Sequence, residues 1–339
     1  MKIGISNRTS EGWLKEFQES CNLLGHEHRV IEIGKDDWMD EVRSLDVFVW
    51  RLVMGDPSSM AEARDKIPLM EEMGITCFPN RLMLWLYDDK IRESYFFRQH
   101  GYPVPRTWIF FDEASARGFI ETATYPLVAK SHCGASSSGV VIFRNRKQAS
   151  TFLDRMYAKM SLLEIVLDNY YYYPKLRKGD LLLSLRFRYR NAWPRYAYLQ
   201  EFVTTDKDWR ITTLGRDLVS VFVRQNRPDD FRASGSGIWK KVTEEEVPAE
   251  ACDLALRISN THGFTSMTYD FMQHGGGWVI GEISYTFLLN AVYKETLFRR
   301  EAGGYKRAEP IPIGVMHLQA IEASRLTGQA KRGQGEAVN

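Results

Sequence analysis

Residues 264–287, FTSMTYDFMQHGGGWVIGEISYTF, constrain the fold of this chain more than any other stretch. Two strand-like runs, Phe264 to Met272 and Trp278 to Ile283, flank a turn through Gly275, Gly276 and Gly277, the pattern of a β-hairpin. Each run carries one acid, Asp270 or Glu282. An arbitrary pair of acids on such a hairpin is most often solvated. Here Met267, Tyr269, Phe271, Val279, Ile280 and Ile283 argue that the strands are buried, and a buried carboxylate is costly unless it is paired or bound to a cation. Two of them facing across a ladder repel, so a divalent ion is the natural bridge. The hairpin reads as one side of a metal site whose other members lie elsewhere.

The bulk properties exclude more than they specify. A length of 339 residues suggests two or three domains. With 44% hydrophobic and 26% charged residues the composition is that of an ordinary globular protein. A formal net charge of +2 offers no global attraction to nucleic acid or membrane. No apolar run approaches the roughly 20 residues of a bilayer span, and MKIGISNRTS lacks the long apolar run of a signal peptide. Cys21, Cys77, Cys133 and Cys252 are scattered, with no spacing for zinc or a disulfide framework. A reduced, cytoplasmic compartment is the expectation.

Along the chain, short strands and helices alternate over the first 80 or so residues: strands at Lys2–Ser6, His28–Ile33, Val47–Trp50 and Ile75–Phe78, helices at Glu11–Leu24 and Pro57–Met73. Such alternation predicts a small parallel sheet covered by helices, without a glycine-rich dinucleotide fingerprint. A second unit, from Trp85, has a helix over Asp88–His100, a stiff GYPVP break, and strands Thr107–Phe111, Pro126–Lys130 and Val140–Phe143, with helices Glu113–Thr122 and Gln148–Met160. Between Lys175 and Arg195 seven basic residues stand against one acid, Asp180, after the tyrosine run Tyr170 to Tyr173. This segment is either a solvated insertion, a platform for an acidic or polyhydroxylated substrate, or a surface for anionic lipid. Strands Tyr198–Val203, Arg210–Leu214 and Leu218–Arg224 and helix Glu246–His262 then lead to the hairpin. The expected division is an α/β unit at 1–84, an α+β unit at 85–196 with the basic aromatic insertion at about 161–196, a last unit at 197–327, and a disordered tail at 328–339.

Several charged residues carry chemistry by position. Lys130 ends a strand beside GASSSG; a lysine next to backbone N–H groups and hydroxyls makes a phosphate cradle, though not a P-loop. The QEFV run at Gln200–Val203 offers a backbone edge to a purine, with Asp206 and Asp208 following. Arg224, Arg227 and Arg232 lie near the glycine–serine turn of DFRASGSG, a strong anion site. The order Lys90, GYPVP, Lys130 with GASSSG, QEFV, DWR, Arg224, DFRASGSG, Asp270 and Glu282 resembles the ATP-grasp superfamily, specifically the RimK-like carboxylate–amine ligases, over about residues 80–290.

The resemblance implies an ATP-grasp fold, α/β and α+β, with an N-terminal Rossmann-like preATP-grasp domain and a central lid. It implies that Lys90 and Lys130 contact ATP phosphates, that Ser136, Ser137 and Ser138 lie on the closing loop, and that Glu201 and Val203 form the adenine hinge. Asp208 corresponds to the acid that contacts ribose or orders a neighbouring arginine. Arg210, Arg224 and Arg232 would face the γ-phosphate and the acyl-phosphate intermediate, and Asp270 and Glu282 would hold Mg²⁺. Relatives usually carry Asn two residues after the second acid; here Ser284 stands there, a weaker ligand that puts a second metal in doubt. EISYTF and DFRASGSG look like a subgroup associated with surface-polysaccharide assembly. The implied substrates are a small-molecule carboxylate and an amine, sugar-linked in that subgroup, with no nucleic acid, and homo-oligomers are common among similar proteins. Two rivals stand beside the ligase. In a small-molecule kinase the phosphate would stay on the acceptor. In a non-catalytic nucleotide-binding partner, ATP turnover would be absent.

Overall fold

The computed structural model describes residues 1–53, 56–133, 140–157, 196–228, 230–231, 233, 236–287 and 296–335, with backbone only for 57 and 326–335. The N-terminal part contains β1 (Lys2–Ser6), α1 (Glu11–Leu23), β2 (Glu27–Ile31), α2 (Trp38–Val42), β3 (Val47–Val49), α3 (Pro57–Glu72) and β4 (Thr76–Phe78). Its strands form a parallel sheet in the order β2-β1-β3-β4. Ile3, Ile5, Val47, Phe48 and Val49 are buried in it, as expected for a sheet fed by strand–helix alternation. Helices α4 (Arg81–Leu86) and α5 (Lys90–His100) follow.

The C-terminal part is an antiparallel sheet built from β9 (Lys207–Leu214), β10 (Leu218–Gln225), β11 (Trp239–Lys241), β12 (Ser266–His274), β13 (Gly277–Ser284), β14 (Leu297–Glu301) and β15 (Gly304–Arg307). The strand order is β13-β12-β9-β10-β14-β15, with β11 also on β10. Helices α8 (Ala249–His262) and α9 (Ile313–Gly335) complete it. The β12–β13 hairpin closes on a His274–Gly277 pair. Gly275 and Gly276 between them have φ of 59° and 80°, the left-handed backbone that a two-residue type I′ turn requires.

Between these parts runs a second compact unit: β5 (Thr107–Phe110), α6 (Glu113–Thr122), β6 (Leu127–Lys130), β7 (Val140–Phe143), α7 (Arg146–Tyr157) and β8 (Ala197–Glu201). Its antiparallel sheet runs β5-β8-β6-β7, over a core of its own that includes Ile120, Phe143, Leu153 and Leu199.

This division differs from the sequence expectation. The smaller unit comprises Arg106–Ser131 and the described residues from Val140 to Phe202; the larger takes in Met1–Pro105, His132, Cys133 and the chain from Val203 onward. The N- and C-terminal parts are therefore one compact unit, joined where α9 packs on α1. The Gly314 N–H donates to Glu16 Oε1 at 2.9 Å, and a Cβ there would stand 2.4 Å from Ser20 Oγ. His317 of α9 is buried among the rings of Trp13, Phe17, Phe78 and Phe287. That burial, with the nearby charge of Arg51, pushes its imidazole down to about 3. The boundary expected at residue 85 falls later because α5 packs against β13. Strand β8, expected in the last unit, belongs to the smaller sheet. Helix α9 continues to Gly335, so the tail expected to be disordered from Gly328 is helical over most of its length; Gln329, Ala330, Lys331 and Arg332 are good helix formers. Among the described residues no helix is long and apolar enough to cross a membrane.

Candidate active site

Alternate residues of a strand share one face of the sheet, and register carries that face from strand to strand. Phe222, Arg210, Asp270 and Glu282 pair in one row across β10, β9, β12 and β13. Ser220, Thr212, Thr268 and Ser284 make the next row, and Arg224 stands opposite Asp208. The sequence expectation that Asp270 and Glu282 face one another is met residue for residue, with a bulge immediately after Asp270.

The charges on this face are bonded to one another. Arg210 donates through Nε and Nη2 to the two Asp270 oxygens at 2.8 and 2.9 Å. Arg224 donates in the same fork geometry to Asp208 at 2.7 and 2.6 Å, and its Nη2 also lies 2.7 Å from Asp270 Oδ2. Asp208 thus holds Arg224 by both of its oxygens. Lys90 Nζ lies 3.3 Å from Glu282 Oε1; the lysine side chain is 9% exposed and the glutamate 40%.

Local structure puts Lys90 there. Asp89 caps α5, its Oδ1 accepting from the Ile91 and Arg92 N–H groups at 3.1 Å. The Lys90 N–H donates to His132 O at 2.7 Å. One turn on, Glu93 Oε2 accepts from the Ile283 N–H at 3.3 Å, holding the β13 backbone beside Glu282. Glu93 went unnoticed in the sequence, although its i,i+3 spacing from Lys90 was a signal.

These contacts set the protonation states. Burial works against the Lys90 ammonium, but Glu282 and Glu93 hold its affinity for the proton well above the ordinary lysine value. Burial would raise Asp270; the Arg210 and Arg224 guanidiniums overcome it and hold the carboxyl well below the usual range. Asp208 is pushed up to about 6, first by burial and then by the charge of Asp270, against the pull of Arg224. Each hydroxyl of the next row has a hydrogen-bond partner. Thr212 and Thr268 meet Oγ1 to Oγ1 at 2.8 Å, and Ser220 Oγ lies 2.8 Å from Thr296 Oγ1. Ser284 Oγ accepts from the Thr286 N–H at 3.1 Å.

The remaining expected site residues are divided among the smaller unit, the larger unit and stretches outside the described residues. Lys130 ends β6 and Glu201 ends β8, both in the smaller unit. The Glu201 carboxylate accepts from the Arg106 N–H at 2.7 Å, and its own N–H donates to Arg106 O at 2.9 Å. Val203 is buried in the larger unit. Ser136, Ser137, Ser138 and Arg232 lie outside the described residues, as does the basic aromatic segment except for Tyr196.

Mg²⁺ takes oxygen ligands, commonly one or two carboxylates together with substrate phosphates. Asp270 and Glu282 are such donors on one face, and each ionised carboxylate oxygen accepts more than one bond, so the donor set fits the ion. Among the described residues no group of three or more His, Cys, Asp or Glu is placed to hold a metal. Two carboxylates are therefore what the described chain offers.

A parallel α/β part, a small antiparallel unit and a charged antiparallel sheet are the parts of the ATP-grasp fold. Solved structures of that fold cover nearly the whole chain. A RimK domain ATP-grasp protein from Sphaerobacter thermophilus matches 95% of this chain and 99% of its own, with a TM-score of 0.57 and 13% identity. D-alanine–D-alanine ligase from Bacillus anthracis, in complex with ATP, matches 98% and 99% with a TM-score of 0.55 and 15% identity. At these identities the likeness is one of fold. In sequence, the chain is 24% identical over 218 residues to the alpha-aminoadipate–LysW ligase LysX of Saccharolobus solfataricus, covering 64% of this chain and 68% of that protein. No family model matches the chain. The resemblance drawn from the ordered motifs is thus met by the fold and by a ligase relative in sequence.

Proposed function

We propose that the chain is an ATP-dependent carboxylate–amine ligase. A substrate carboxylate attacks the γ-phosphate of ATP, giving an acyl phosphate and ADP. An amine then attacks the acyl carbon, forming the amide and releasing phosphate. The observation that carries this reading is the row Arg210–Asp270–Glu282 with Arg224 and Lys90 beside it, on the sheet face of an ATP-grasp fold. Phosphoryl transfer asks a protein for positioning and charge neutralisation more than for covalent help, and this cluster supplies three cations and two cation-binding carboxylates. Lys90, Arg210 and Arg224, with Lys130 and Arg232, would hold the phosphates and the transferring phosphoryl group. Ser136, Ser137 and Ser138 would close over them, while Glu201 and Val203 would hold the adenine. Asp270 and Glu282 would hold Mg²⁺, with Ser284 at most a weak further ligand; bound there, the ion neutralises charge developing on the phosphate oxygens.

The substrate carboxylate or amine is proposed to be acidic or sugar-bearing, and the reaction cytoplasmic. The seven basic residues between Lys175 and Arg195 support the first, and the scattered cysteines support the second. The test is ADP release across pairs of acids and amines, with mass spectrometry of the product. The expected result is one pair giving ADP, free phosphate and an amide, and a loss of about a hundredfold or more in Glu282→Gln, as for loss of a pre-organised charge in a site. Phosphate retained on a hydroxyl, or full turnover in Glu282→Gln, contradicts the reading.

A further inference from the structure

Among the described residues, the sheet-face carboxylates Asp208, Asp270 and Glu282 are each bonded to a cation of the chain itself. Asp270 carries two guanidiniums, Arg210 bidentate and Arg224 through Nη2. Glu282 carries the Lys90 ammonium. Asp208 holds the other arm of Arg224. Each of the three cations thus has its counter-charge within the site, and Glu93 adds a further acid beside Lys90. Most of these side chains are largely withdrawn from water: those of Lys90, Arg224, Asp208 and Asp270 are 9%, 10%, 13% and 14% exposed.

We propose that the site rests in this self-neutralised state, and that a divalent cation and a nucleotide phosphate enter it only together, by exchange of partners. The inference rests on the ATP-binding reading above. Phosphate oxygens take the guanidiniums of Arg210 and Arg224 and the ammonium of Lys90, and the carboxylates of Asp270 and Glu282 pass to the cation. Either ligand alone is disfavoured. A cation by itself must displace Arg210 and the Nη2 arm of Arg224 from Asp270, which costs Arg210 its counter-charge and Arg224 one of its two, and breaking such pairs without replacing the lost partner is unfavourable. A metal-free triphosphate brings negative charge beside three carboxylates that it cannot neutralise. The coupling is reciprocal by linkage, so each ligand raises the affinity of the other by the same factor. The resting pairs thereby protect the site from free divalent ions.

The test uses Mn²⁺ as the probe, its free concentration read by electron paramagnetic resonance without nucleotide, in the parent, Arg210→Gln and Lys90→Gln. Lys90→Gln releases Glu282 from its resident cation, and Arg210→Gln leaves Asp270 held through Arg224 Nη2 alone. Both variants are expected to bind Mn²⁺ alone at least tenfold more tightly than the parent, with Mn·AMP-PNP bound by the parent. If Arg210→Gln does not fold, as thermal melting reports, Lys90→Gln carries the comparison. If the parent binds Mn·AMP-PNP and also holds Mn²⁺ alone as tightly as the folded variants, the exchange is overturned while the ATP reading stands. If the parent binds Mn·AMP-PNP under no condition, both are overturned.

Discussion

Asp208 and Asp270 share Arg224 from adjacent strands, yet their protonation is driven in opposite directions. Asp270 has two guanidiniums and stays ionised; Asp208, buried beside the charge of Asp270, is pushed up to about 6. A carboxyl raised in the folded state contributes stability that is fully present below its unfolded value and lost as pH rises through its folded value. The melting temperature of the parent relative to Asp208→Asn should therefore fall as pH rises from about 4 to about 6 and level off above that. A difference that does not change with pH contradicts this. At this scale the sequence pointed to candidate side chains and to little of whom they bond. Asp270 and Glu282 were legible as facing acids, because a glycine turn fixes hairpin register. That Asp270 takes two arginines, and Glu282 a lysine from a helix nearly 200 residues earlier, depends on non-local pairing that no local pattern encodes.

Among the elements, those with a clear apolar pattern were readable to within a residue or two: strands β1 and β7 and helix α6 lie where the sequence puts them. Short elements were not. α4 spans only Arg81–Leu86, too few residues for a helical period to show. β14 has apolar residues only at Leu297 and Phe298 before Arg299, Arg300 and Glu301, and it is a strand because it pairs with β10 and β15. The α1–α9 crossing was equally hidden, since its key residue is a glycine. A Cβ at Gly314 would lie 2.4 Å from Ser20 Oγ and 2.9 Å from the Glu16 carbonyl oxygen, and the carbonyl cannot rotate away as a side chain can. Gly314→Val is expected to lose about 1–3 kcal/mol of stability, seen as a lower melting temperature. A melting temperature equal to the parent's contradicts the close approach.

For the molecule as a whole, one compact unit carries both the N-terminal parallel sheet and the charged face of the antiparallel sheet. The second unit carries Lys130 and Glu201. The fold class was legible because strand–helix alternation and an antiparallel hairpin leave few architectures open, and the order of motifs narrowed them to one. The domain boundaries were not, because they depend on which surfaces α5 and α9 bury. Transfer of oxygen tests most directly the proposal that the protein joins a carboxylate to an amine through an acyl phosphate. The carboxylate found by the ADP screen is labelled with ¹⁸O at both oxygens and turned over with ATP and the amine. One labelled oxygen is expected in the released phosphate and the other in the amide. Unlabelled phosphate, or phosphate still attached to a hydroxyl of the product, contradicts it.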